Sequence, residues 1–406
     1  MANTLKFGNG NWAVKEGSTL AYNDENGNFK PLPFDFERST SATRVNKQGL
    51  IETVGVNQPR VDFSNDTNGA LLLEPQRTNG LLHSNQFDST WSTTNASLIS
   101  GQSGVGGSSD AWKYSATANS DCYLIQTPVY NSGTRTRSLY AKADTFSQLT
   151  FLFAPFNGNK YATFNLANGT YTNDGCLADI EDVGDGWYRC IATITDASNT
   201  YPFLFGLSNE SGVHPSIGDS IYIQYAQIEE GSYPTSYIPT SGSAVTRVAD
   251  YTKILNSPIL QGTNQFTLFF EAKDFLLVNG TNVSFSNVML IFGAGEGRYD
   301  SGTGLHIYDR TWFYYNGSSA VNLGICYNGL VDSKFAISYD GTKFKRYAGG
   351  VKLGEFVTSA SMVNWDTIAT GGMSDVENDD RVFNLSDLRL YNTALTDAEL
   401  QALTSN

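Results

Sequence analysis

The residues best suited to chemistry are Asp375, Glu377, Asp379 and Asp380, which follow Gly371-Gly372 closely enough for one loop to present them together. Hard oxygen donors in that number suit Ca2+. Their spacing is not that of an EF-hand, and a solvated acidic loop is the competing reading, so Ca2+ is the one cofactor left open. Other carboxylates offer less. Glu229 and Glu230 point to opposite faces if extended, and Glu181, Asp182 and Asp185 read as part of a turn. Retaining glycoside hydrolysis needs two carboxylates on one face, about 5 Å apart. No E-x-D-x-x-E pattern supplies them. His83, His214 and His306 each stand apart from any H-x-x-x-H or H-E-x-x-H partner. There is no G-x-S-x-G elbow and no phosphate-binding glycine loop. The expectation is a protein without catalytic residues. Tyr299, Trp312, Tyr314, Tyr315 and Trp365 could stack on sugar rings if they gather at a solvent-facing rim; turned inward they serve a core.

The elements that must position these groups are β. The chain has 406 residues, only 16% of them charged, with 22 Tyr and 24 Phe, and this mixture favours strands and turns over helices. A length of that order exceeds what one core usually serves. The net charge of −14 argues against nucleic acid, which requires a basic face to replace phosphate counterions. The opening MANTLKFGNGNW has neither a basic nor an apolar leader region, and no run approaches the roughly 18–20 apolar residues of a membrane helix. Synthesis in a cytoplasm, without membrane insertion, is expected. Cys122, Cys176, Cys190 and Cys326 are widely spaced and read as free thiols.

Three segments follow. Residues 1–80 carry short apolar bursts cut by Gly and Pro, too little for a core alone. Residues 81–247 repeat strand-like runs such as DCYLIQT, QLTFLFAPF, GWYRCIATIT and SIYIQYAQIE every 10 to 20 residues. In the last, Ile221, Ile223 and Tyr225 alternate with Tyr222, Gln224 and Ala226, as in a sheet with one face in a core. The polar TSGSAV, Thr240 to Val245, reads as a hinge. Residues 248–406 form a second β series in which Asp340-Gly341 and Gly349-Gly350 mark consecutive hairpin turns. Thr396 and Glu399 form a capping box that starts a terminal helix, with Leu395, Leu400 and Leu403 placed to fold back. The expected fold is all-β: an N-terminal attachment and connector region, two β-sandwich (jelly-roll) domains and a short C-terminal helix.

Certain residues carry a resemblance. Arg38, Ser39, Ala42, Thr43, Gly49, Leu50, Ile51, Pro59, Arg60, Asp62, Phe63, Leu72, Leu73, Glu74, Pro75, Gln76, Thr78 and Asn79 resemble a connector of tailed-bacteriophage fibre and appendage proteins. Ser84, Asn85, Phe87 and Trp91, the run Asp185 to Arg189 and the run Ala226 to Thr240 resemble carbohydrate-binding-module-like jelly rolls of phage fibres. The run Leu385 to Leu400 resembles the final strand and helix of concanavalin-A-like and laminin-G-like domains. The resemblance implies a virion structural protein, a head or tail fibre that binds host-surface glycan or protein. It implies a homo-oligomer, a trimer above all, with other virion proteins as partners. A glycan-cleaving fibre enzyme and a capsid decoration protein that binds no glycan are the alternatives.

Overall fold

A computed structural model describes residues 4–8, 13–14, 20–23, 29–31, 34–128, 133–153, 160–196, 202–208, 214–254, 264–273, 288–293, 303–308, 311–316, 319–325, 333–357, 367–371 and 383–405. The protein is all-β; among the described residues the helical elements are a 3-10 turn, Val105–Gly107, and the terminal helix Asp397–Thr404. It divides into two compact units, and their boundaries differ from the three consecutive segments that the sequence suggests.

The first unit, the central sandwich, comprises residues 77–247 together with 45–53. One of its six-stranded sheets runs Ser92–Thr94, Cys122–Gln126, Phe203–Leu207, Gln148–Leu152, Tyr161–Asn165, Thr170–Asp174; the other runs Ala96–Gln102, Ala111–Ala116, Ser220–Glu230, Gly133–Ala143, Trp187–Asp196, Leu177–Gly184. Alternation places Leu124, Phe151, Phe164, Phe203 and Phe205 of the first sheet against Trp112, Tyr114, Leu139, Cys190, Ile221 and Ile223 of the second. Edge-to-face aromatic packing fills the space between them, with Phe151 and Phe203 centroids 5.3 Å apart and Phe87 and Trp112 6.2 Å apart. Each such buried side chain contributes about 1.5–3 kcal/mol.

The alternation read from Ile221 onward stops short of Tyr225. Tyr225 takes φ +53, and the register with Gly133–Ala143 slips there. The extra residue turns Tyr225 outward and Ala226 into the core. Glu181 and Asp182 also depart from expectation: they lie on the exposed edge strand Leu177–Gly184, and only Asp185 is in the turn.

The second unit, the composite sandwich, joins residues 1–44, 54–76 and 248–406. Its larger sheet runs Val351–Val357, Lys343–Ala348, Ser333–Tyr339, Phe266–Lys273, Phe383–Tyr391, Ala70–Leu73, Arg60–Asp62, with Thr4–Gly8 also on Phe383–Tyr391. The other runs Ala320–Ile325, Thr311–Asn316, Thr303–Tyr308, Val288–Gly293, Thr367–Gly371, Tyr251–Ile254, Phe34–Glu37. The segment that the sequence suggests is a connector is therefore divided: Arg38 to Thr43 and Pro59 to Gln76 belong to this unit, where Phe36 pairs with Thr252 and Leu73 with Phe383, whereas Gly49 to Ile51, Thr78 and Asn79 belong to the first. Both expected hairpin turns are present, and so is the capping box, in which Thr396 Oγ1 accepts from the Glu399 N–H at 3.3 Å and Glu399 Oε2 from the Thr396 N–H at 2.8 Å. The helix lays Leu400, flanked by Leu395 and Leu403, on Phe269, Ala336 and Tyr347.

Candidate functional site: a buried ionic frame and a half-buried sheet face

Two of the sugar-stacking candidates, Trp312 and Tyr314, turn inward. Trp312 and Tyr314 are 1% and 2% exposed and face the other sheet of the composite sandwich. Trp312 packs edge-on to Phe270 at 6.2 Å, and Tyr314 meets Phe344 at 5.6 Å. Their alternation fixes one face of Thr311–Asn316, and that face belongs to the core. Tyr299, Trp365, the side chain of Tyr315, the Ca2+ candidates Asp375, Glu377, Asp379 and Asp380, and Cys326 lie outside the described residues. Among the described residues, no three His, Cys, Asp or Glu side chains are grouped to hold a metal. Cys122, Cys176 and Cys190 are free thiols.

The connector residues instead build a buried ionic frame in the composite sandwich. Arg38, Arg60, Glu74 and Asp250 are 1%, 0%, 3% and 0% exposed, so each charge depends on its neighbours. Arg38 Nη1 donates to Asp250 Oδ1 at 2.8 Å. Arg60 Nη1 donates to Glu74 Oε2 at 2.7 Å, while its Nη2 donates to Asp250 Oδ2. Further contacts reach the backbone: Arg38 Nε and Nη2 donate to the carbonyls of Thr40 and Gly55, and Arg60 Nη1 also to that of Thr43. Two main-chain contacts close the ring, Glu74 N–H to Asp250 Oδ2 at 3.0 Å and Asp250 N–H to the Glu74 carbonyl at 2.9 Å. Burial alone would lower the Arg60 pKa, but Asp250 and Glu74 hold it above its ordinary value. Two cations and two anions cancel, which lets the recurrent arginines of this segment sit in a core.

A second polar network joins the landmarks of the central sandwich. Asn79 Nδ2 donates to the Ile238 carbonyl at 2.8 Å, and its Oδ1 accepts from the N–H groups of Leu81 and Ile228. Glu229 accepts from the Thr235 N–H at 2.8 Å, Thr235 Oγ1 at 2.7 Å and Gln227 Nε2 at 2.7 Å, with Arg77 Nε at 3.9 Å. Arg189, the last residue of D-G-W-Y-R, donates to the Thr235 carbonyl at 2.6 Å. Ser84 Oγ lies 2.6 Å from the Tyr237 hydroxyl and accepts from the Thr240 N–H. Thr240 is accordingly buried, and Ser241 bridges to His83, so the expected hinge is fastened at its start. The central sandwich ends instead where Arg77–Asn79 pairs with Val245–Arg247.

The two outer faces of the central sandwich differ. On the second sheet, Tyr140, Trp187, Tyr225 and Tyr237 form an outer aromatic cluster covered by Val105 and Ile51. The two covering segments meet closely: a Cβ on Gly106 would lie 2.4 Å from the Gly49 carbonyl oxygen. On the first sheet the outer face is only partly exposed. There Ile125, Leu204, Leu152 and Tyr161 stand abreast on four adjacent strands, each half-buried. The neighbouring row holds Thr94, Tyr123, Gly206, Thr150, Thr163 and Thr172, with Thr150 and Thr163 hydroxyls 2.9 Å apart. Thr150 and Thr163 are buried, and Thr150 Oγ1 donates to the Ser208 carbonyl, so it is the half-buried row of aliphatic and phenol groups that is suited to the apolar face of a ligand. Sequence reasoning did not single out these residues or Asp250. The signal for the face was that DCYLIQT, QLTFLF and YPFLFG are apolar on both sides of their strands.

No family model matches the chain, and no curated protein matches it. Among solved structures it is similar to the CBM40 of the Ruminococcus gnavus IT-sialidase bound to α2,3-sialyllactose, at 19% identity over 35% of this chain and 84% of that one, TM-score 0.27. Domain 4 of the arabinanase AbnA from Geobacillus stearothermophilus, in complex with arabinotriose, matches at 16% identity over 43% and 83%, TM-score 0.29. The botulinum neurotoxin serotype D binding domain matches at 15% identity, TM-score 0.29; 38% of this chain spans 40% of that one. Likenesses at these scores say nothing about what this chain binds.

Proposed function

We propose that this protein is a non-catalytic structural component of a tailed-phage particle, a head or tail fibre whose central sandwich binds a host-surface glycan or protein. The observation that carries the reading is the ionic frame. Of the residues quoted for the phage connector, Arg38, Arg60 and Glu74 converge on one buried site, so the resemblance reaches a fold element rather than scattered surface positions. Arg38, Arg60 and Glu74 are consumed in holding strands together, as befits a part that bears load. The half-buried row of Ile125, Leu204, Leu152 and Tyr161 with Tyr123 is the surface offered to a receptor. Assembly as a homotrimer on other virion proteins belongs to the same reading.

The test is adsorption of the purified protein to host cells and to a panel of envelope glycans. Tyr123→Ala and Tyr161→Ala together should lower binding at least tenfold while the melting profile is kept. Equal binding by the double variant would place the receptor surface elsewhere. Release of oligosaccharide would replace the reading by a glycan-cleaving fibre.

A further inference from the structure

The topology sets a problem of folding order. In the composite sandwich, Phe34–Glu37 pairs with Tyr251–Ile254 and Ala70–Leu73 with Phe383–Tyr391, and Arg60–Asp62 joins only Ala70–Leu73 among the described strands. The frame itself joins Glu74 to Asp250 across 176 residues and Arg38 to Asp250 across 212. Until Asp250 is in place, two guanidinium groups that end fully buried lack their shared carboxylate, so this segment cannot close early. Closing loops of that length is slow.

The central sandwich shortens that loop. Its first and last strands are a ladder, Arg77 opposite Arg247, Thr78 opposite Thr246 and Asn79 opposite Val245. The Thr78 and Thr246 hydroxyls lie 2.7 Å apart across it. Below the ladder Asn79 is tied to Ile228 and Ile238, and Arg77 lies over the Tyr233 ring at 5.2 Å. Glu74 and Asp250 are then the third residues outward from the paired ends, where they meet through the two main-chain contacts described above. We propose that the central sandwich is an internal template: it folds first, its terminal ladder brings Glu74 and Asp250 together, and the ionic frame then closes the composite sandwich around strands from both ends of the chain. With the ladder formed, the loop between Glu74 and Asp250 falls from 176 residues to about six, a gain of roughly 150-fold in effective concentration on chain-closure scaling.

Pulse-labelled hydrogen exchange during refolding of the full chain tests this. Amides of Gly133–Ala143, Trp187–Asp196 and Ser220–Glu230 should become protected in a first phase. Those of Ala70–Leu73, Phe266–Lys273 and Phe383–Tyr391 should follow together in a second. Inserting a 20-residue Gly/Ser linker between Arg247 and Val248 lengthens only the short loop and should slow the second phase by about ninefold, leaving the first unchanged. The same linker in the exposed turn at Asn168-Gly169 should change neither. Protection of Ala70–Leu73 before the central sandwich, or a second phase insensitive to the Arg247 insertion, would overturn the template. Asp250→Asn provides an independent reading, since it should retain the first phase at its normal rate even if the second is never completed; loss of the first phase would count against the proposal.

Discussion

Replacing Asp250 by Ala is the sharpest perturbation of this protein. The carboxylate is fully buried and receives Arg38 at 2.8 Å, Arg60 through Nη2, and the Glu74 N–H at 3.0 Å. Its removal takes a carboxylate partner from both Arg38 and Arg60 and leaves Arg38, Arg60 and Glu74 with a net buried positive charge. Breaking a buried pair from one side costs about 3–5 kcal/mol, because the remaining charge stays desolvated. Arg38 keeps the carbonyls of Thr40 and Gly55 and Arg60 keeps Glu74, so the lower half of that range applies. With a urea slope of about 2–3 kcal/mol/M, the midpoint for the composite sandwich should fall by about 1–2 M. The assay is urea unfolding followed by hydrogen exchange, read separately at Phe266–Lys273 and at Ser220–Glu230. The central sandwich, which contains no frame residue, should keep its midpoint. A composite midpoint within 0.3 M of the parent, a threshold of about 1 kcal/mol on the same slope, would refute the assignment of stability to the frame. So would an equal loss in both units.

Leu400→Ala removes the fully buried anchor of the terminal helix and should cost about 2–4 kcal/mol, read as loss of protection in Asp397–Thr404 with the sheets retained. Lys345 and Lys352 hold the Asp397 carboxyl down to about 2 from its ordinary 3.8. A depressed carboxylate stabilises above its unfolded value, so this contribution is present at pH 5 and is lost as pH falls from about 4 to 2; the group is half-exposed, and salt should weaken the effect as well. Helix exchange rates measured at pH 5 and pH 2.5, each in low and high salt, check both. Burial pushes the Cys176 thiol up to about 11 and raises those of Cys122 and Cys190, so all three should resist alkylation at pH 7 in the native protein and react after denaturation; rapid native labelling of Cys122 or Cys190 would contradict their burial.

Local signals in the sequence were read correctly where the chain answers to its near neighbours. The Asp340-Gly341 and Gly349-Gly350 turns and the Thr396 to Glu399 capping box depend on a few adjacent residues, and each formed as expected. Ile221 and Ile223 turned inward as their alternation implied, but the bulge that rotates Tyr225 is set by the facing strand Gly133–Ala143 and leaves no local mark. Trp312 and Tyr314 alternate with their neighbours equally well in either orientation, so only the partner sheet decides that they are core. Asp250 illustrates the same limit at long range. An aspartate beside a polar stretch carries no sign that its partners lie 190 and 212 residues earlier. The short apolar bursts of residues 36–79 were legible in the sequence, whereas the division of that segment between the two sandwiches depends on strand pairing that a linear reading does not contain.

The central claim, that this is a structural part of a phage particle, is tested most directly by imaging purified virions with a Fab raised against the folded protein. The account predicts Fab density on projecting head or tail appendages, at a fixed number of copies per particle. Virions that contain no copy of the chain by mass spectrometry and carry no Fab would contradict it.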